Sequence, residues 1–119
     1  MGFTRARVVV ESLGDSPVRR EVELLVDTGA RYSILPAKLL RDMGIQPQQR
    51  LPFELADGST IERAVGEVRF HYDGRNGVSR VIFGEEGDAD VLGVVALETM
   101  GLEVDPVRKV IRPAKLILY

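Results

Sequence analysis

The sequence has no cysteine and only one histidine, His71, among its 119 residues. Without cysteine there is no disulfide bond, no thiol nucleophile and no thiolate ligand for a metal. A single histidine also rules out a histidine-rich metal centre. We therefore expect neither a metal nor a cofactor.

Long apolar runs and an excess of one charge are also missing. The N-terminal stretch MGFTRARVVVESLGD has only three consecutive apolar residues, too few for a secretory leader or a membrane-spanning helix. The 16 basic and 18 acidic residues are scattered and give a net charge of -2, so no basic stripe indicates nucleic-acid binding. These features predict a cytoplasmic domain, free or part of a larger precursor, that contacts neither nucleic acid nor a membrane.

The length corresponds to one domain, residues 1–119, and short β-type segments dominate it. Turn signals between apolar segments predict a hairpin over residues 6–26, a second around Asp57-Gly58, and a strand pair joined near residues 74–77. A brief strand, ADVLG, and a last hairpin, LEVDPVRKVI, follow.

Two segments have the pattern of short helices. SILPAKLLRDMG is predicted as a helix with Pro36 at its first position and Gly44 as a left-handed cap, and VVALETMG as a helix capped by Gly101. Strands and helices together predict an all-β fold class, mainly β with two short helices, in a closed and mostly antiparallel domain.

The stretch ELLVDTGARYSIL contains the residues most indicative of chemistry. Asp27 follows an apolar segment that reads as a buried strand, and a buried carboxylate costs several kcal/mol unless it is neutralised, paired or hydrogen-bonded. Thr28 adds a hydroxyl that can donate and accept, and Gly29 allows a close backbone approach. Asp27 is either a structural turn residue or a catalytic one, and its position between two apolar strands favours catalysis.

Three segments, in this order, resemble the retropepsin-like aspartic protease family. LLVDTGA is similar to the catalytic turn, LADGSTIERAVGEV to the flap hairpin and the strand after it, and DVLG with VVALETMG to the apolar-apolar-Gly element with its helix. The resemblance implies a closed acid-protease-type barrel with one lobe per chain. The departure from the retroviral pattern at Arg31 and Val94, described below, points to a cellular or bacterial member of the family.

The resemblance also implies an activity and a partner. Family members carry one such aspartate per chain, so it implies a homodimeric aspartic endopeptidase in which two Asp27 carboxylates activate a water that hydrolyses a peptide or protein substrate. Thr28 and Gly29 complete the catalytic turn, with Thr28 hydrogen-bonding across the dimer. The residues implied to contact substrate are Ala30 and, at the flap tip, Ala56, Asp57, Gly58 and Ser59.

One departure from the family keeps other functions open. Retroviral members usually carry an aspartate after Asp-Thr-Gly-Ala, paired with an arginine after the later apolar-apolar-Gly, and here these positions hold Arg31 and Val94. This loss favours a non-catalytic dimerisation or peptide-binding module of the same fold. A further alternative is a domain that cleaves its own host polyprotein. Asp57-Gly58 likewise fits either a flap tip or an ordinary surface hairpin.

Two further segments have less specific patterns. An acidic cluster could suggest calcium but lacks the alternating loop pattern with its terminal bidentate glutamate, so a solvated loop is expected; its members are Glu85, Glu86, Asp88 and Asp90. The apolar tail Leu116–Tyr119 is expected to pair with another segment, and one candidate is the dimer interface.

Overall fold

The computed structural model describes residues 4–115 and residue 118. Its nine strands are β1 (Thr4–Glu11), β2 (Arg19–Val26), β3 (Ser33–Pro36), β4 (Gln49–Glu54), β5 (Thr60–Tyr72), β6 (Arg75–Gly84), β7 (Val91–Leu92), β8 (Leu102–Val104) and β9 (Ile111–Pro113). Its two helices are α1 (Ala37–Asp42) and α2 (Val94–Thr99). The all-β class with two short helices is therefore confirmed.

The first seven strands form one sheet in the order β1-β2-β7-β3-β6-β5-β4, and β1 also pairs with β5. The pairings thus run in a ring through six strands, with β4 attached to β5 outside it. Most pairings are antiparallel, but β7 runs parallel to β2, and β3 runs parallel to β6. Strands β8 and β9 form a separate hairpin, as predicted.

The core lies inside this ring. Along β1 the side chains of Ala6, Val8 and Val10 are buried while Arg5 and Arg7 are exposed, the two-residue alternation of a strand with one face on the core. Large side chains from other elements meet them there, namely Leu24, Leu35, Leu40, Phe70, Phe83 and Leu97. Each such side chain contributes about 1.5–3 kcal/mol when removed from water.

The first predicted helix is shorter than expected. Ser33–Pro36 is strand β3, paired with β6 and β7, and the helix begins at Ala37, so Pro36 precedes it rather than opening it. The segment is a strand rather than a helix because Ser33 and Leu35 are fully buried between neighbouring strands. The predicted caps are correct: Gly44 and Gly101, each just past a helix, have φ of +80° and +73°.

The hairpin of β4 and β5 extends beyond the ring. The ladder between β5 and β6 ends at Val65, which pairs with Ile82, and from Thr60 to Ala64 the strand β5 pairs only with β4. The predicted hairpin around Asp57-Gly58 is therefore confirmed, as a two-stranded arm with its tip at residues 55–59. β5 is one continuous strand where the sequence suggested two.

Two expectations concern the surface and the chain end. Among the described residues, no helix has the length and apolar character needed to cross a membrane. The pairing predicted for the tail Leu116–Tyr119 lies outside the described residues, since only Leu118 of that tail is described, and it is exposed.

Candidate active site

Asp27 lies at the point where β2 leaves the sheet beside β7. Leu25 and Val26 pair in parallel register with Val91 and Leu92, and the Asp27 N–H then donates to the Leu92 carbonyl at 3.1 Å. The two-residue strand β7 therefore holds the backbone from which the Asp27 side chain projects.

The turn after Asp27 holds its carboxylate by local hydrogen bonds. The Gly29 N–H donates to Asp27 Oδ1 at 2.9 Å, and the Ala30 N–H donates to the Asp27 carbonyl at 3.1 Å. A Cβ at position 29 would lie 3.1 Å from Oδ1, so glycine lets the backbone approach the carboxylate closely. Among the described residues no side chain donates to this carboxylate. The turn thus orients Asp27 and leaves it able to bind a further donor.

The rest of this loop is attached to the start of α2. The Val94 and Val95 N–H groups donate to the carbonyls of Ala30 and Arg31 at 2.8 and 3.0 Å. The Gly93 N–H donates to the buried Ser33 Oγ at 2.9 Å. These bonds fix the loop from both sides, which pre-organises the Asp27 turn.

The exposure of the turn differs from the sequence-based expectation. Leu24 and Val26 are buried as predicted, but Asp27 is half-buried and Thr28 and Gly29 are exposed. The strand reaches the surface at this point, so the carboxylate faces solvent in the single chain. Asp27, Thr28, Gly29 and Ala30 lie together in one loop.

The other predicted site residues lie at the tip of the β4–β5 hairpin. Ser59 donates to Asp57 Oδ1 through its backbone N–H at 2.9 Å and its hydroxyl at 2.5 Å, and the hydroxyl lowers the pKa of Asp57. Gly58 takes the left-handed conformation with φ of +86°, and residues 56–59 are all exposed. Within the described part of the chain, no hydrogen bond or ion pair joins this tip to the Asp27 turn.

Arg31 makes a local contact. Its guanidinium lies 5.5 Å from the ring centre of Tyr32, and that of Arg80 lies 5.3 Å from the same ring. The neighbouring Arg31 lowers the pKa of the Tyr32 phenol. Arg31 is thus held near its own chain neighbour, while Val94 begins α2.

A cleft of about 490 Å³ adjoins Thr28. Its lining includes the apolar residues Val94, Leu97, Leu102 and Val104, from α2 and β8. Neither Asp27 nor the hairpin tip lines it, so this cleft is separate from the residues predicted to contact substrate.

The structure contains an ion pair that the sequence did not predict. Asp88, in the acidic cluster expected to be a solvated loop, accepts two hydrogen bonds from Arg63 on β5, at 2.7 and 3.1 Å. Arg63 lowers the pKa of Asp88, and Asp88 raises that of Arg63. Glu85, Glu86 and Asp90 are exposed, as expected. No sequence signal joins residues so far apart, because their contact depends on the fold.

Over residues 4–115 and 118, the structure contains no group of three or more histidine or carboxylate side chains close enough to hold a metal ion.

Comparisons with known proteins agree with this architecture. The model of a family described as gag-polyprotein putative aspartyl protease matches residues 19–99, well over half of the chain. No curated protein sequence matches significantly.

The solved structures that are similar include two viral proteases. The EIAV protease in complex with the inhibitor HBY-793 has 20% identity and a TM-score of 0.60, over 98% of this chain and 94% of that one. The simian foamy virus (mac) protease has 20% identity and a TM-score of 0.49, over 78% of this chain and 92% of that one. The first of these shows that the fold is retropepsin-like.

Proposed function

Because the chain belongs to the gag-polyprotein putative aspartyl protease family, we propose that it is a homodimeric aspartic endopeptidase. The observation that carries the proposal is the Asp27 turn, in which the Gly29 N–H orients a half-exposed carboxylate at the end of a strand anchored by β7. An oriented carboxylate that faces solvent is the group that a water-activating protease needs.

The second carboxylate has to come from another copy, since the sequence contains a single Asp-Thr-Gly. Two Asp27 side chains about 3 Å apart would share one proton, because like charges that close cannot both ionise. The exposed Thr28 and the apolar cleft beside it are the surfaces that a second copy would cover. Thr28 would then hydrogen-bond to the partner's loop and hold the two carboxylates coplanar.

The two carboxylates would divide the chemistry between them. The ionised Asp27 accepts a proton from a bound water, whose oxygen attacks the carbon of the peptide carbonyl. The protonated Asp27 donates its proton to the carbonyl oxygen, giving a tetrahedral intermediate. Breakdown of that intermediate breaks the C–N bond as a proton reaches the departing amine.

The remaining predicted residues would hold the substrate. Ala30 follows the catalytic turn and would contact the bound peptide. Ala56, Asp57, Gly58 and Ser59 would close over the peptide, so that the β4–β5 hairpin acts as a flap that excludes water. The two hydrogen bonds from Ser59 to Asp57, which order the tip, support this role.

The test is the variant Asp27→Asn, incubated with a varied peptide library and read by mass spectrometry. The amide has the same shape but cannot accept the proton from water, so cleavage should fall more than about a hundredfold. Asp15→Asn, in the exposed β1–β2 turn, is the matched control and should cleave as the parent does. Cleavage by a pure Asp27→Asn preparation at the parental rate would refute the proposal.

The replacement of the retroviral pair by Arg31 and Val94 favours a second candidate, a peptide-binding module without catalysis. The same library separates the two functions. A parent protein that retains peptides, as shown by equilibrium binding, and cleaves none of them would support the module over the enzyme.

A further inference from the structure

The β4–β5 hairpin has few connections to the rest of the molecule. β4 is the edge strand of the sheet. β5 pairs with β6 from Val65 to Tyr72, but its residues before Val65 do not. At the base of the hairpin, the Gln48 N–H donates to the Val65 carbonyl. An isolated two-stranded hairpin is marginally stable in water. Its position therefore depends on side chains that connect it to the ring.

Arg63 provides such a connection through Asp88. Its Nε and Nη2 donate to Oδ2 and Oδ1 at 2.7 and 3.1 Å, a bidentate arrangement. The Arg63 side chain is 16% exposed and that of Asp88 is 22% exposed, so water screens this pair poorly. The Arg50–Glu62 pair, within the hairpin, is 3.6 Å apart with side chains 56% and 62% exposed. Charge-assisted bidentate bonds are stronger and more directional than such surface pairs.

Asp88 also fixes the loop that contains it. Its Oδ2 accepts the Glu85 N–H at 2.8 Å, while its own N–H donates to the Glu85 carbonyl at 2.9 Å. One carboxylate thus organises the turn and binds Arg63 at the same time.

The loop leads directly to the Asp27 turn. After Asp88 the chain leads into β7. Just before this strand the Asp90 carbonyl accepts the Leu25 N–H, and at its end the Leu92 carbonyl accepts the Asp27 N–H. Arg63 therefore attaches the hairpin to the segment that positions the candidate catalytic carboxylate.

We propose that the Arg63–Asp88 ion pair is a positioning latch, which holds the β4–β5 hairpin over the Asp27 turn and so sets the affinity for peptide. The latch rests on the proposed protease function. Without the ion pair, the hairpin covers the Asp27 turn for a smaller fraction of the time. The apparent affinity for peptide falls in proportion to that fraction. Bond cleavage within a bound complex, which depends on the two carboxylates, changes little. Arg63 and Asp88 are thus positioning residues rather than catalytic ones.

The kinetic test uses Arg63→Gln, Asp88→Asn and the combination of both. Each single change should raise KM about tenfold and leave kcat within about twofold, because a charge-assisted bidentate pair is lost. The KM of the combined variant should not exceed that of Arg63→Gln, because this single change already removes the pair with Asp88 together with the 3.7 Å contact to Glu85. The amide introduced by Asp88→Asn retains an oxygen for the Glu85 N–H, so the turn is preserved.

The matched control is Glu62→Gln, which breaks the exposed pair inside the same hairpin. It should leave both KM and kcat unchanged. An unchanged KM in both single variants, a loss confined to kcat, or multiplying effects in the combined variant would each overturn the latch.

Hydrogen exchange tests the latch without a substrate. Backbone amides of residues 49–64 should exchange faster in Arg63→Gln than in the parent, with β1 and β6 unchanged, and Glu62→Gln should match the parent. An inactive parent with this exchange pattern would refute the protease function and leave the hairpin attachment standing. Unchanged exchange in residues 49–64 would overturn the latch whatever the activity.

Discussion

At the scale of single residues, Gly93 connects most of the bonds that fix the Asp27 turn. Its N–H binds Ser33, and the residues on either side bind Asp27 and Ala30. A Cβ at this position would lie 2.6 Å from the Tyr32 carbonyl carbon and 2.8 Å from the Arg31 oxygen. Both of these are backbone atoms, which cannot swing aside as a side chain does.

We predict that Gly93→Ala lowers the free energy of unfolding by about 1–3 kcal/mol, the usual cost of overpacking. Urea unfolding measures the change. Glu98→Ala, at an exposed position of α2, is the comparison and should stay within about 0.5 kcal/mol of the parent. Equal stability of Gly93→Ala and the parent would mean that the Asp27 loop and α2 are less tightly packed than the structure has them.

Part of the site could be predicted from single residues. The Asp-Thr-Gly tripeptide between apolar strands was enough to place Asp27, Thr28, Gly29 and Ala30 in one turn, because that turn is local. The half-exposure of Asp27 could not be predicted, since burial depends on how far β2 extends past its neighbours. The partner of Asp88 is set by the fold for the same reason, and the catalytic and binding roles of these residues stay predictions.

At the scale of elements, Glu11 stabilises the place where β1 pairs with both β2 and β5. Its carboxylate accepts hydrogen bonds from Arg19 Nε at 2.9 Å and from His71 Nε2 at 2.7 Å, with Arg69 3.9 Å away. The Glu11 side chain is only 9% exposed. His71 is 25% exposed and links β5 to β1.

We predict that Glu11→Gln destabilises the fold, and that the loss shrinks in acid. The His71 and Arg19 bonds lower the pKa of Glu11 below its ordinary value of 4.5. A lowered folded-state pKa means that the stabilisation is complete above about pH 4.5 and is lost as pH falls through the folded value. The test is the difference in the free energy of unfolding between the parent and Glu11→Gln, measured from about pH 7 to about pH 3.

Glu21→Gln, which removes an exposed partner of Arg7, serves as the control and should show a small, nearly constant difference from the parent. If Glu11→Gln lowered the free energy of unfolding equally at both ends of the pH range, the pH dependence could not be assigned to Glu11.

Most elements could be predicted because turns and alternation are local signals. The hairpins and both helices follow from Gly, Pro and Asp positions, as with Gly44 and Gly101. The local pattern of Ser33–Pro36 predicts a helix, whereas the structure has a strand there. The strand depends on pairing with β6 and β7, which a local pattern does not indicate. The central position of β7 in the sheet is likewise a long-range property, which two residues of sequence cannot indicate.

At the scale of the whole molecule, one chain presents half of the proposed site. The Asp27 turn is held by its own backbone bonds, while Thr28 and Gly29 face solvent. In a homodimer related by a two-fold axis, each copy would supply the same surface to the other. Activity would then belong to the pair and not to the chain.

We predict that an excess of Asp27→Asn chains inhibits the parent protein. Mixed pairs hold one carboxylate and one amide, which cannot share a proton, so activity per parental chain should fall in proportion to the parental fraction. Rates measured after mixing and equilibration at a fixed parental concentration give the result. The shared site would be excluded if the activity per parental chain did not change with added variant and sedimentation showed an active monomer.

The late position of β7 along the chain also matters during synthesis. A ribosome passes the codon for Asp27 long before that for Leu92, whose carbonyl anchors the aspartate. Until the chain has emerged through Gly93, the nascent polypeptide contains the Asp-Thr-Gly residues but lacks the hydrogen bonds that orient them. Pairings between such distant segments also form slowly. Proteolytic competence would therefore arise only after this region has been translated, and the earlier part of the chain would emerge while the site is still unformed.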